Sequence, residues 1–240
     1  MKVVILNSGM GTRMGVLTKE HPKCMTEIAE NETILSAQLK TVAAFGIKEV
    51  VITTGYFNSV LVEYCESLNL PLNIEYVHNP MFSKTNYIYS LYCAYEQLRD
   101  TDIILMHGDL VFTPNVFGRV VHSDVSCMTV SSTLELPPKD FKAVIKDGDK
   151  ISAVGIEFFE NAVAAQPLYK LLKKDWNTWL AQICLYCESG KTSCYAENAF
   201  NEISERLDLR AIDVGDELCS EIDNSDDLRT VSERYRCLFS

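Results

Sequence analysis

Within the stretch LNSGMGTRMGVLTKEHPKCM, Leu6 to Met25, two glycines and two cations stand close together: Gly9 and Gly11, Arg13 directly after them, and Lys23 ten residues later. The stretch follows a β-branched run, Lys2-Val3-Val4-Ile5, which reads as a buried first strand. A glycine turn at the end of a strand presents backbone N–H groups that no side chain shields, and such groups cradle phosphate. Pro22 restricts the backbone ahead of Lys23. Two cations flanking such a cradle suit a polyphosphate.

Two commoner phosphate motifs do not fit. The dinucleotide fingerprint requires a third glycine at position 14, where Met14 stands, with Gly15 one place late. A Walker loop requires a glycine five residues before its Gly-Lys-Thr, and Gly190-Lys191-Thr192 has Leu185 at that place.

The elements that must position these residues read as alternating strands and helices. After the glycine stretch, Ile34 to Phe45 carries a helical apolar stripe that ends at Gly46, and Glu49 to Thr53 is a second strand. Strand, helix and strand form a βαβ unit whose crossover makes the strands parallel neighbours. Ligands of such sheets lie beyond the carboxyl ends of the strands, where the glycine turn and Thr54-Gly55-Tyr56 both fall. Asn58 to Asn69 reads as a helix, Asn73 to Val77 as a strand, Asn86 to Leu98 as a tyrosine-rich helix, and Asp102 to Met106 as a strand. That last strand runs into His107-Gly108-Asp109, which places an acid on the same rim. Further on, Ser126 to Ser132 is a strand, and Phe141 to Lys146 with Ile151 to Gly155 a hairpin about Asp147-Gly148-Asp149. Ala162 to Cys187 has helical periodicity in two pieces, broken at Pro167 and near Asp175, with Trp176 and Trp179 as packing residues. Glu197 to Leu207 is a helix, Leu209 to Val214 a last strand, and Ser225 to Leu238 a closing helix.

The totals narrow the function classes. At 240 residues the chain fits one α/β domain. Its 22 basic and 33 acidic residues give a net charge of −11 without a cationic block, which argues against a nucleic-acid track. An anionic substrate must then rely on local cations and a metal. Nine cysteines spread through apolar segments predict a reduced, cytoplasmic protein. Cys184 and Cys187 form a C-x-x-C without a second pair, and the four histidines show no ligand spacing. No run approaches the roughly 20 apolar residues of a membrane span, and the apolar start is too short for a signal peptide.

The series G-x-G-T-R followed by P-K is similar to the signature loop of nucleotidyltransferases that make NDP-sugars and CDP-alcohols. N-P-x-F-x-x-x-N-x-x-x-S-L over Asn79 to Leu91, and Glu221-Ile222-Asp223 ahead of the closing helix, resemble segments of the bacterial choline-phosphate and aminoethylphosphonate cytidylyltransferases. The resemblance implies a nucleotide-diphospho-sugar transferase type of fold: a Rossmann-like α/β domain over residues 1–240. Its mixed, mainly parallel sheet would be flanked by helices and carry a small antiparallel edge on the acceptor side. It implies that Gly9, Gly11, Thr12 and Arg13 hold the β and γ phosphates, that Lys23 sits on the α-phosphate, and that Lys23 and Arg13 are catalytic. Leu6, Asn7, Ser8, Gly55, Tyr56, Asn86 and Ser90 would complete the nucleotide site. Asp109 and Asp223 would grip one Mg²⁺.

The implied reaction joins CTP to a small phosphate or phosphonate acceptor and releases pyrophosphate, as in phosphonate or phosphocholine metabolism and cell-surface glycan decoration. Phe141, Lys142, Glu197 and Asn198 are the expected acceptor residues. Phosphocholine would want an aromatic box. Phe141 offers a ring but Lys142 would repel a cation, which turns the expectation toward 2-aminoethylphosphonate or a phosphorylated amino-acid amide. A sugar-1-phosphate nucleotidyltransferase and a non-catalytic nucleotide-sensing subunit are the competing readings. The first is disfavoured by chain length, the second by the survival of Arg13, Lys23, Asp109 and Asp223.

Overall fold

A computed structural model describes residues 1–239, without the side chains of Thr12, Arg13 and Val16. Strand β1 (Lys2–Asn7) is buried along its length and leads into the glycine turn. A small hairpin follows, β2 (Glu27–Ala29) and β3 (Glu32–Thr33), turned by Asn31 at φ +57°. Helix α1 (Ile34–Ala44) starts on a capping box: Thr33 Oγ1 accepts from the Ser36 N–H, and Ser36 Oγ accepts from the Thr33 N–H. It ends before Gly46, whose φ of +72° suits a glycine there. β4 (Glu49–Thr54), α2 (Asn58–Ser67) and β5 (Asn73–His78) complete two βαβ crossovers.

The predicted tyrosine helix divides at Ala94 into α3 (Tyr87–Cys93) and α4 (Tyr95–Leu98). Next come β6 (Ile103–His107), β7 (Leu110–Phe112), α5 (Pro114–Val121) and β8 (Cys127–Ser131). β9 (Lys142–Lys146) and β10 (Lys150–Gly155) are the expected hairpin. The chain closes with β11 (Ala162–Leu171), α6 (Lys173–Glu188), α7 (Ala196–Asn201), β12 (Arg210–Asp213), β13 (Cys219–Glu221) and α8 (Ser225–Phe239).

Among the described residues the main sheet has nine strands in the order β5-β4-β1-β6-β11-β8-β12-β10-β9. Four pairings are parallel, β5–β4, β4–β1, β1–β6 and β8–β12, and the other five are antiparallel. The sheet is therefore mixed, and the expectation of a mainly parallel one is corrected. The hairpin is not an open edge either: β9 also pairs with β11, so the strands from β11 to β9 close on themselves.

The larger correction concerns residues 162–171, expected to be helical and found as β11. Ala-rich sequence favours helix only weakly, and pairing to β6 on one side and β8 on the other overrides it. Buried on both faces, such a strand shows no alternation to reveal it. Pro167, which cannot donate to a ladder, falls where the register with β8 shifts between Gln166 and Tyr169. The predicted break near Asp175 marks the true start of helix, in the first turn of α6. The helix expected over 197–207 is shorter, α7 followed by a 3₁₀ turn at Ser204–Arg206.

Hydrophobic clusters cover both faces of the sheet. Trp176 and Trp179 are fully buried, and their indole N–H groups donate to the Leu98 and Ala196 carbonyls. A short pairing between β13 and β7 sets Glu221 opposite Leu110. The Ile222 N–H donates to the Asp109 carbonyl at 3.0 Å, so two acids more than a hundred residues apart in sequence are held side by side.

Candidate active site

A cavity of about 360 Å³ opens at the carboxyl ends of β1 and β6. One wall is Leu6, Asn7, Ser8, Gly9, Gly11 and Lys23. Asn86, Ser90, Tyr87, Phe141 and Tyr195 also line it, with Ser90 next to Ser8, and the floor is His107, Gly108, Asp109, Glu221 and Asp223.

Lys23 organises the floor. Its Nζ donates to Asp109 Oδ2 and to Asp223 Oδ1, both at 2.6 Å, with its side chain 13% exposed. Burial acts to lower the amine's pKa, but the two carboxylates override it and raise it. The mirror effect holds Asp109 below its ordinary value, as Lys23 and His107 outweigh the cost of burial. The second oxygen of Asp109, Oδ1, is buried with no hydrogen-bond partner among the described residues. An unsatisfied carboxylate oxygen beside a second carboxylate, on a cavity wall, is a donor set that fits a hard divalent cation.

Beside this group His107 Nδ1 lies 2.9 Å from Glu221 Oε1. Burial acts to lower the His107 pKa, yet Glu221, with Asp109 and Glu197, pushes it up to about 9. Burial and the nearby Asp109 charge push Glu221 up to about 7 against the pull of His107. His107, Asp109 and Glu221 offer ligand atoms within 4.8 Å of one another. The histidine and Glu221 were not singled out from sequence. The histidines show no ligand spacing, and the value of Glu221 depends on the β13–β7 pairing, for which a three-residue strand gives little local signal.

The wall beside the glycine turn is held by a buried polar network. Ser8 Oγ is 2.5 Å from Ser90 Oγ and 3.3 Å from Thr53 Oγ1, and Asn79 Nδ2 donates to Ser90 Oγ at 3.0 Å. Asn86 caps α3 by accepting from the Tyr87 N–H at 2.7 Å. Two glycines permit close approaches. A Cβ on Gly108 would collide with Asn7 Oδ1, and one on Gly55 with the Ser8 carbonyl oxygen. Gly55 thus supports the glycine turn from behind without lining the cavity, and Tyr56, 68% exposed and also outside the lining, packs on Phe57 and on the lining residue Phe82. The expected roles of Thr12 and Arg13 fall on side chains outside the described residues.

On the acceptor side the expectations divide. Phe141 lines the cavity, edge-on to Tyr195 at 4.9 Å between ring centroids. Lys142 does not: it is fully buried, its amine donates to the Pro137 and Asp140 carbonyls at 2.5 and 3.0 Å, and it lies 4.2 Å from the Phe159 ring. Those carbonyls turn its amine away from the cavity, so the structure does not bring Lys142 together with the other expected acceptor residue, Phe141. Glu197 stands behind the wall, accepting from the hydroxyls of Tyr87 and Tyr169, the latter at 2.7 Å. Burial, with Glu197 beside them, holds both phenols well above their ordinary pKa. Asn198 accepts from the Tyr195 N–H at 3.0 Å and serves as a cap. The rings of Tyr87 and Tyr195, not predicted as site residues, form the surface that Glu197 and Asn198 only support.

The sequence profile of the MobA-like NTP transferase domain matches residues 3–137, more than half of the chain. The chain belongs to that family. The chain is 25% identical over 158 residues to the CTP:phosphoglutamine cytidylyltransferase of Campylobacter jejuni, covering 63% of this chain and 61% of that protein. It is 32% identical over 151 residues to the CMP-5'-(3-aminopropyl)phosphonate synthase of Streptomyces rubellomurinus, covering 63% of this chain and 24% of that one. The matches thus span less than two thirds of the length of these two relatives. The fold is that of the solved CTP:phosphocholine cytidylyltransferase from Streptococcus pneumoniae, with a TM-score of 0.81 at 20% identity over 98% of both chains. For this NTP transferase domain, the cavity at the strand ends takes in the glycine turn and both convergent acids. No helix among the described residues is long and apolar enough to cross a membrane.

Proposed function

We propose that this chain is a cytidylyltransferase that joins CTP to a small phosphate or phosphonate bearing an amino group. One observation carries the reading. A lysine beside a bare-backbone turn, and two carboxylates from distant parts of the chain, meet in one cavity at the strand ends. The names of the relatives, which pair cytidylyl transfer with phosphoglutamine and aminopropylphosphonate, support the base and the acceptor class.

In this reading Gly9 and Gly11 hold the outer phosphates through backbone N–H groups, with Thr12 and Arg13 beside them. Leu6 to Ser8, Asn86 and Ser90 bound the nucleoside. Lys23 balances the charge that builds at the α-phosphate as an acceptor oxygen bonds to the α-phosphorus and pyrophosphate departs with the electron pair of the broken P–O bond. The acceptor oxygen is already ionised at neutral pH, so alignment and charge balance do the catalysis without a general base. Asp109 and Asp223 would hold Mg²⁺, which when bound neutralises the triphosphate. The acceptor's amino end meets the rings of Phe141, Tyr87 and Tyr195, backed by the Glu197 and Glu221 carboxylates.

The test is pyrophosphate release with Mg²⁺ and each of four NTPs against phosphocholine, 2-aminoethylphosphonate, a phosphorylated amino-acid amide and glucose 1-phosphate. Release with CTP and an amino-bearing acceptor is the expected result. Release with the sugar phosphate alone would assign the chain to sugar activation, and silence across the panel would remove the enzymatic reading.

A further inference from the structure

The seat between Asp109 and Asp223 is filled by a side chain of the protein itself. Asp109 comes from the β6–β7 turn, Asp223 from the segment joining β13 to α8, and Lys23 from a 3₁₀ turn after the glycine stretch. Three unconnected elements are thus arranged so that one ammonium reaches both carboxylates at 2.6 Å. All three side chains are largely withdrawn from water, at 13%, 22% and 19% exposure. Three carboxylates, Asp109, Glu221 and Asp223, meet on the floor; Lys23 pairs with the two aspartates and His107 with Glu221. A divalent cation entering between the two aspartates with Lys23 in place would stand in contact with a like charge in a poorly hydrated pocket.

We propose that Lys23 is a built-in counter-ion that closes the metal seat: its ammonium and a divalent cation exclude one another on the Asp109–Asp223 pair until phosphate oxygens draw the lysine away. The inference deepens the proposed function, resting on the reading of this cleft as a metal and nucleotide site. It makes the binding of metal and of nucleotide positively coupled, because each removes the cost the other meets. It also assigns Lys23 two successive partners, the carboxylates in the empty cleft and a phosphate in the filled one. Asp109 Oδ1, buried and unsatisfied, is the oxygen that the ammonium leaves without a partner.

The experiment is direct Mn²⁺ binding, read from the electron paramagnetic resonance of the free ion, on the whole protein with and without CTP. Wild type, Lys23→Met, Lys23→Gln and Lys23→Arg are compared, each checked for folding by circular dichroism. Without nucleotide, Lys23→Met and Lys23→Gln are expected to bind Mn²⁺ at least about tenfold more tightly than wild type, while Lys23→Arg, which keeps a cation, stays weak. CTP is expected to tighten Mn²⁺ in wild type by a larger factor than in Lys23→Met. Equal Mn²⁺ affinity of wild type and both neutral variants without nucleotide, or an arginine variant that binds like the methionine one, overturns the proposal. A gain in the neutral variants together with no effect of CTP on any of them upholds the counter-ion role and sinks the nucleotide reading instead.

Discussion

Two lysines, Lys23 on the cavity wall and Lys142 outside its lining, are both nearly or wholly removed from solvent, and from sequence both are expected to touch substrate. Lys23 is satisfied by carboxylates, on the wall of the cavity. Lys142 is satisfied by the backbone carbonyls of Pro137 and Asp140 and by the Phe159 ring, inside the strand ring that begins at β9. The difference is one of exchange. A carboxylate pair can trade an ammonium for a metal ion, and the ammonium can trade carboxylate for phosphate, whereas carbonyls held by a loop have nothing to trade. The surroundings of Lys23 are therefore built from replaceable charge, and those of Lys142 from fixed packing around backbone carbonyls and an aromatic ring.

The sharpest break in that contrast comes from Lys23→Ala, expected to cost about 10²-fold or more in turnover, by analogy with deleting an electrostatic stabiliser. Pyrophosphate release at the wild-type rate would remove Lys23 from catalysis. Gly108→Ala tests the rigid frame beneath the same end. The new methyl would drive into Asn7 Oδ1 and stand 2.8 Å from the Leu6 carbonyl oxygen, so a loss of about 1–3 kcal/mol in denaturant unfolding is expected, with weakened CTP binding. Lys142→Met should cost stability, about 1–3 kcal/mol for the carbonyls it orphans, and leave turnover per folded molecule within about twofold. A collapse of turnover at unchanged stability would return Lys142 to the acceptor site.

The smallest effect concerns pH. The folded-state pKa of His107, about 9, lies above its ordinary 6.5 because Glu221 faces it. The stabilisation this brings is complete below about 6.5 and is lost as pH rises through 9. Glu221→Gln removes the partner, so its melting temperature should fall less than that of wild type between those limits. The expected difference is of order 1 kcal/mol, or about 2–4 °C. Parallel pH profiles would show that the pair contributes nothing to folding.

Legibility followed the range of the interactions. The first strand, the glycine stretch and the βαβ units were readable because their signals are local: a β-branched run, glycines at fixed offsets, and a helical stripe ended by a glycine. Asp109 was readable because it follows a strand end, and Asp223 only through a likeness to other sequences. β11 was misread because alanine-rich sequence carries a helical bias that two neighbouring strands cancel. His107 and Glu221 were passed over because each is unremarkable in its own segment and acquires meaning only from the other.

By itself the sequence determined the chemistry on offer: a bare-backbone glycine turn, cations beside it, and acids at strand ends, all of them properties of residue type and short spacing. Which charges face each other was decided by the tertiary structure. The three-residue ladder of β13 on β7 brings Glu221 to His107 and Asp223 to Lys23, and the turn from Pro137 to Asp140 claims Lys142 for itself. The physical reason is that a buried charge is defined by its partners, and partners a hundred or two hundred residues away are chosen by the fold.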